Sequence, residues 1–366
     1  MEKGIIEIFS GVKDPRSQGM CLHKLSDILF IALCTLLSNG EDFEDMIEFA
    51  KQRIDWLETK ISLSNGIPSH DTFNRVLQII DTESLSKALK EDGGALLKHV
   101  EGKLVCLDGK KMRGVSPKSR GNKGLYILNA WVAEDRLCIG QKKVGDKSNE
   151  ITAIPELLDE LELKGATVSI DAIGCQKNIA EQIIKKEADY LLAVKGNQAD
   201  LREEVSESFV FSKVKKGKEQ WEYDHGRYET RTCFILSASE VLSPNIKAEW
   251  PSIKTLIKIE STRQIKDVKS TETRYYISSG EEKSADDYNK MVRGHWGIEN
   301  HLHWHLDVTF NEDSSRSRKG NAPQNLNILR KMALHRIAKD DSKISKKKRR
   351  FRASMNLDYL EDILKL

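Results

Sequence analysis

Two aspartates stand at matching places in the sequence. Asp108 closes the apolar run 103–108 (KLVCLD) and precedes Gly109, and Asp171 closes 166–171 (ATVSID) and precedes Ala172-Ile173-Gly174. A carboxylate at a strand end sits at the rim of a sheet, hydrated rather than buried and uncompensated. If the two strands are neighbours, their spacing of about 4.8 Å brings both carboxylates to one place. Like charges so placed repel unless a cation joins them. A hard divalent ion with oxygen ligands, Mg²⁺ or Mn²⁺, suits such a pair. Two ions of this kind can clamp the attacking and leaving oxygens of a phosphoryl transfer. Taken singly, each aspartate reads as a turn residue; the pair is what points to metal.

A third acid lies in residues 293–307 (RGHWGIENHLHWHLD). On a helix, His295, Glu299, His303 and Asp307 recur every four residues and share a stripe. The alternation of His301, His303 and His305 would instead suit a strand presenting three imidazoles to zinc. However, the HExxH spacing is absent and no cysteine is near. These histidines therefore read as packing or phosphate contacts beside Trp296 and Trp304.

The elements that must position these acids are legible as changes of period. Residues 21–60 repeat their apolar positions at helical spacing. The Asn65-Gly66 and Pro68 punctuation then marks a turn, and Ser69 can cap a helix through Phe73, Val76, Leu77 and Ile80. This turn and helix, carrying Arg75, could be a DNA-reading helix-turn-helix, but with so few basic residues an ordinary helical hairpin is the preferred reading. From residue 103 the order is β-β-β-α-β-α-β, with strands at 103–108, 125–133, 137–144, 166–171 and 189–194. Helices fall at 151–161, capped by Ser148 or Asn149, and at 176–186. Hairpin-linked strands followed by alternating helix and strand imply a mixed sheet covered on both faces. Residues 205–278 return to strands (231–236, 255–259, 274–278), and 284–310 and 323–338 to helix.

Composition excludes several classes. The 366 residues are 39% hydrophobic and 31% charged, enough to bury cores and too balanced for disorder. The six cysteines form no CxxC pair; Cys106, Cys138 and Cys233 lie in apolar runs as small hydrophobes, which suits a reducing cytoplasm. The longest apolar run, 28–37, is too short for a bilayer and too late for a signal peptide, so no membrane partner is expected. The net charge of +3 seems to argue against nucleic acid. Yet residues 314–352 hold 14 Lys and Arg against 2 acids, a net +12, which leaves −9 for the rest. A basic strip of this kind, docked by the apolar positions that follow it (Met355, Leu357, Leu360, Ile363, Leu364), suits a DNA backbone.

Several blocks occur in order: LDGKKMRG, GDKSNEITAIPELL, IDAIGCQKNIAEQI, ADYLLAVKGNQ, DHGRYETR, RYYISS, HWGIENHLHWHLDVTFNED and RKGNAPQNL. Together they resemble the DDE transposases of bacterial insertion sequences, in the group that includes the H-repeat-associated proteins. DPR at 14–16, HKLSDIL at 23–29 and NGIPSHDTF at 65–73 resemble that group's N-terminal associated region. The resemblance runs from about residue 14 to 364.

The resemblance implies an α/β fold, an RNase H-like mixed sheet flanked by helices, with a β-rich insertion and an N-terminal all-helical domain. The expected divisions are 1–100 (helical, DNA-binding), 101–204 (first part of the catalytic core), 205–280 (insertion), 281–340 (core completion with the Glu helix) and 341–366 (basic tail). It carries the acidic triad, and with it two Mg²⁺ or Mn²⁺ ions, onto Asp108, Asp171 and Glu299, spaced by 63 and 128 positions. Glu229, Glu312 and Asp313 are competitors, read as structural. Many relatives have Tyr seven before the Glu, Arg four before it and Lys seven after; here these are Val292, His295 and Leu306, and Arg293 offers a charge nearby.

The candidate DNA contacts are Lys110, Lys111 and Arg113 after Asp108, Lys195 at the end of the last core strand, and His225, Arg227 and Arg231 alternating on one strand. Arg293, His295, Arg316, Arg318, Lys319, Lys347, Arg349 and Arg350 complete the set. Trp250 could stack on an extruded base, although core packing is the simpler reading of a lone Trp. The partners implied are double-stranded DNA at element ends and targets and a second copy of the chain in a synaptic dimer, in the bacterial cytoplasm at the nucleoid. Two other readings use the same residues: a repurposed or inactive transposase that only binds DNA, and a two-metal nuclease without strand transfer.

Overall fold

In the computed structural model, residues 4–97, 99–115, 125–145, 150–224, 226–281 and 283–365 are described. Six helices come first: α1 (Ile5–Ser10), α2 (Leu25–Leu37), α3 (Phe43–Gln52), α4 (Ile54–Glu58), α5 (His70–Ile79) and α6 (Thr82–Leu96). The apolar run at 28–37 lies in α2, which is buried on every side except at Ser26 and forms the axis of the helical region. No helix among the described residues is long and apolar enough to cross a membrane. The Ser69 hydroxyl accepts from the Thr72 amide at 3.3 Å and so caps α5, as its place before the helix predicts.

The sheet follows: β1 (Leu104–Met112), β2 (Leu125–Val132), β3 (Leu137–Val144), α7 (Glu150–Glu160), β4 (Thr167–Ile170), α8 (Lys177–Lys185) and β5 (Asp189–Val194). This is the expected β-β-β-α-β-α-β order. The Ser148 or Asn149 cap expected for α7 lies outside the described residues. After α9 (Ala199–Phe211) come β6 (Lys215–Lys216), β7 (Gln220–Asp224), β8 (Arg227–Ser237), α10 (Ala238–Val241), α11 (Pro244–Glu249), β9 (Thr255–Ile265) and β10 (Val268–Ser278). These later strands continue the same sheet, because β10 pairs antiparallel with β5. The ten strands run β3-β2-β1-β4-β5-β10-β9-β8-β6, with β7 paired to β8. The sheet is mixed, since β4 is parallel to both β1 and β5 and the other pairs are antiparallel.

Helices cover both faces. α7, α8 and α9 close one apolar core against Val105, Leu107, Val168 and Leu192. On the other face, Leu104, Cys106, Trp131 and Cys138 join the N-terminal helices and α13 (Ala322–Lys339) in a second core. α12 (Ala285–Ile298) lies over this face too, packing Tyr288 and Val292 against β8 and β9. α14 (Lys346–Met355) and α15 (Leu357–Lys365) fold back through Ala353, Leu360 and Ile363. Cys106, Cys138 and Cys233 are buried free thiols, as their apolar runs imply.

Candidate active site

The parallel ladder of β1 and β4 ends at the pair Leu107–Ile170. Asp108 and Asp171 are the next residues on the two neighbouring strands. β1 does not end at Asp108, as its apolar run suggested. It continues to Met112 because β2 pairs along it from Asp108–Asn129 to Met112–Leu125. Asp171 does end its strand, and its Oδ1 accepts from the Ile173 amide at 3.1 Å, capping the turn Ala172–Gly174.

Glu299 follows α12 at the start of a π-helical turn, Glu299–His303, itself followed by a second, His305–Thr309. The wide i→i+5 turns, a form found often at functional sites, keep the four-apart stripe on the sheet. His295 meets Ser169 of β4 (Nδ1 to Oγ, 3.0 Å), His303 approaches Asp108 (Nδ1 to Oδ2, 3.6 Å) and Asp307 meets Lys110 of β1 (2.7 Å).

Burial first, then the charges of Glu150, Asp171 and Glu299, push Asp108 up to about 7 against the backbone N–H of Gly109, which lowers it. Glu150 was not singled out from the sequence. It opens α7 and is itself pushed up by burial and by Asp171. It lies against Gly109 so closely that a Cβ there would stand 2.2 Å from Glu150 Oε1 and 2.8 Å from Tyr126 Cε1. The only sequence signal was an acid in the first turn of the helix after the third strand, which reads as a helix-start preference.

The three alternating histidines have separate partners. His301 stacks on Trp131 with centroids 6.2 Å apart, and His305 meets Thr309 (2.9 Å) and Lys346 (3.1 Å). Burial pushes His295 down to about 4 and His303 to about 3. His295 is buried and lines a recess beside Asp171.

The expected basic contacts divide sharply. Lys111, Arg113, Lys195, Arg293, Arg316, Arg318, Lys319 and Lys347 are exposed, and Arg227 and Arg231 half-buried. His225 lies outside the described residues. Lys110 is 6% exposed, salt-bridged to Asp307 (2.7 Å) and Glu312 (3.2 Å); its charge is consumed inside the protein. Arg350 is 1% exposed, donates to the carbonyls of Leu36, Thr309 and Gly40 and stacks on Phe310. Arg349 donates to the carbonyls of Ile337, Asp340, Ser342 and Ile344. These three hold the fold rather than face solvent. Arg330, Lys331 and Arg336 of α13 are buried as well. The +12 segment is therefore not one surface strip. Trp250 is buried, in keeping with core packing. Glu229 pairs with Arg231, Arg227 and Arg263, and Glu312 with Lys110 and Arg330, both as structural acids.

Two recesses flank the half-exposed Trp296. One, of about 340 Å³, runs beside Asp171 and is lined by Lys195, Arg202, Arg274 and Tyr276. The other, of about 450 Å³, reaches Glu299 and carries Arg227, Arg231, Arg263, Arg274 and Arg293. The Arg274 guanidinium lies 4.8 Å from the Trp296 ring centroid. Arg202 and Arg263 carried no motif in the sequence, and Arg274 opens the RYYISS block without being singled out; pairing of β8, β9 and β10 brings the last two to the recess.

Among the described residues, no three His, Cys, Asp or Glu side chains stand close enough to enclose a metal ion. The donor chemistry nevertheless fits a hard divalent cation: the side chains are carboxylates, and burial, with the charges of Glu150, Asp171 and Glu299 adding to it, raises Asp108 to about 7.

Neighbouring strand acids and a third acid after a following helix thus stand on one mixed sheet flanked by helices. The family description "Transposase DDE domain" matches residues 101–335, and "DDE_Tnp_1-associated" matches 6–91. The chain belongs to the DDE transposase family. It is 39% identical over 371 residues to "Putative transposase YncI" of Escherichia coli O157:H7, covering 99% of this chain and 94% of that protein. It is 35% identical over 371 residues to "H repeat-associated putative transposase YhhI" of Escherichia coli (strain K12), covering 99% and 98%.

Proposed function

We propose that the chain cuts DNA at the ends of an insertion sequence and joins the freed 3′ ends to target DNA, with Asp108, Asp171 and Glu299 as its catalytic acids. The observation that carries this is the parallel register of β1 and β4, which sets Asp108 and Asp171 each one residue beyond the Leu107–Ile170 pair. Members of this family generally use divalent metals. When bound, such cations supply charge neutralisation of the phosphodiester oxygens. The chain's own residues do the rest. Asp108 and Asp171 present oxygens from a rigid parallel pair, and Glu299 closes the site from the π-helical turn. Arg227, Arg231, Arg263 and Arg293 line the approach and hold the DNA backbone by charge. Lys195 and Trp296 border the recess beside Asp171, where they contact the strand being cut.

The proposal includes double-stranded DNA as partner, a synaptic homodimer and residence in the bacterial cytoplasm. The test is incubation of the chain with its flanking inverted repeats and Mg²⁺ or Mn²⁺. Cleaved ends joined to target DNA are expected. Cleavage without joining would identify a nuclease, and binding without cleavage a DNA-binding protein.

A further inference from the structure

A polar row crosses the sheet beside Asp108. Asp108 of β1 pairs with Asn129 of β2, and Asn129 with Gln141 of β3. Residues in register across antiparallel strands leave the same face, here the face under α13. Asn129 and Gln141 are buried side chains on this face of the sheet. Lys331 of α13 is buried below them and donates Nζ to Asn129 Oδ1 and Gln141 Oε1. A buried ammonium facing two amide oxygens, with no carboxylate bonded to it among the described residues, is a costly arrangement. The apolar sheet core does not call for it.

Lys331 on Oδ1 and the carbonyl oxygens near Nδ2 orient the Asn129 amide. Asn129 Nδ2 faces the carbonyl oxygens of Ile127 (3.2 Å) and Asp108 (3.5 Å), where an oxygen would meet oxygens. The same Nδ2 stands 3.3 Å from His303 Nε2. An amide nitrogen only donates, so His303 Nε2 accepts, and the proton of the neutral ring sits on Nδ1. His303 Nδ1 stands 3.6 Å from Asp108 Oδ2, just outside direct hydrogen-bond distance.

We propose that Lys331, Asn129 and His303 form a buried positioning chain that fixes the His303 tautomer and, through Nδ1–H, the orientation of the Asp108 carboxylate. This rests on the reading of Asp108 as a catalytic acid. Lys331 sets the amide, the amide sets the ring, and the ring holds Oδ2, leaving Oδ1 to face the site. Outer partners of this kind fix the direction of ligating carboxylates.

The test is long-range ¹H–¹⁵N spectroscopy of histidine ring nitrogens in the ¹⁵N-labelled full chain, in chelator, with His303 assigned by its loss in His303→Asn. His303 should be the Nδ1–H tautomer. It should move toward Nε2–H, the commoner form of a free imidazole, in Asn129→Leu and in Lys331→Met. An Nε2–H tautomer in the unaltered chain, or a tautomer unmoved in both variants, overturns the proposal. Cleavage provides a second arm. His303→Asn keeps a donor at the Nδ1 place and should retain partial activity, while His303→Gln moves the donor and should cut roughly 10–100-fold more slowly than the unaltered chain. Equal losses in the two overturn the proposal. If the unaltered chain cuts no DNA, the transposase reading falls, and the tautomer alone decides the positioning chain.

Discussion

Asp108 and Asp171 each stand one residue beyond the Leu107–Ile170 pair on neighbouring parallel strands. Their closeness is fixed by backbone pairing and needs no side-chain contact to maintain it. The cost appears in Asp108, whose carboxyl is pushed up to about 7 by burial and by its acidic neighbours. The native chain thus binds a proton there that the unfolded chain releases near pH 4. In chelator, stability should fall as pH rises from about 4 to about 7. Asp108→Asn should abolish cleavage and raise stability. One pKa unit is about 1.4 kcal/mol, and partial solvent screening of a side chain 23% exposed trims the total. A gain of about 1–3 kcal/mol at pH 8, vanishing near pH 4, is expected from denaturant titration. Full cleavage by Asp108→Asn or Asp171→Ala would remove the assignment.

Lys110 and Glu312 form a buried pair in which each charge needs the other. Burial pushes Glu312 up, but Lys110, Arg330 and Asn327 outweigh it and hold the carboxyl below its usual range. This stability is present above the unfolded value of about 4.3 and is lost as pH falls through the lower folded value. Lys110→Met strands Glu312 with Arg330 and should destabilise the chain by about 3–5 kcal/mol. Thermal unfolding should show the loss at pH 7, and it should shrink in acid. An unchanged melting temperature would return Lys110 to the candidate DNA contacts.

DNA affinity should depend on the exposed cations alone. Lys347→Ala and Arg318→Ala should each lower the slope of log K against log salt by about one where a phosphate contact is lost. Melting temperatures should hardly move. Arg350→Ala removes the guanidinium that ties the carbonyls of Leu36, Gly40 and Thr309 together. It should reduce stability and leave the slope unchanged. The reverse pattern would restore a continuous basic strip.

Much of this architecture was legible in the sequence, for identifiable reasons. β4 and β5 are short apolar runs bounded by turns and were legible as such, whereas β1 runs on past Asp108 because β2 pairs along it, which its apolar run did not show. Position along the chain could not show which side of a helix a charge takes. α13 carries Arg330, Lys331 and Arg336 into the interior, so a count of basic residues overstated the surface. The π-helical turns after Glu299 were hidden because a four-residue repeat fits an α-helix equally well. Arg263 and Arg274 reach the site only through strand pairing, which no local pattern encodes.

Glu150 is the acid that local pattern missed, and it has the clearest steric signature. Gly109 gives it room, since any Cβ there would stand 2.2 Å from Oε1. Gly109→Ala must therefore displace the Glu150 carboxyl, or shift β1 against Tyr126. Glu150→Gln removes the charge and keeps the shape. If Glu150 matters as a charge beside Asp108, both variants should relax Asp108 toward its ordinary range, and ¹³C carboxyl titration in chelator should show the downward shift. Cleavage should fall in both, and the Mg²⁺ concentration for half-maximal rate should rise. If Glu150 is only packed against the strand, Glu150→Gln should leave the Asp108 titration and the Mg²⁺ requirement unchanged, while Gly109→Ala alone disturbs them. The comparison separates charge from shape at one position, and an unmoved Asp108 in Glu150→Gln would remove Glu150 from the site.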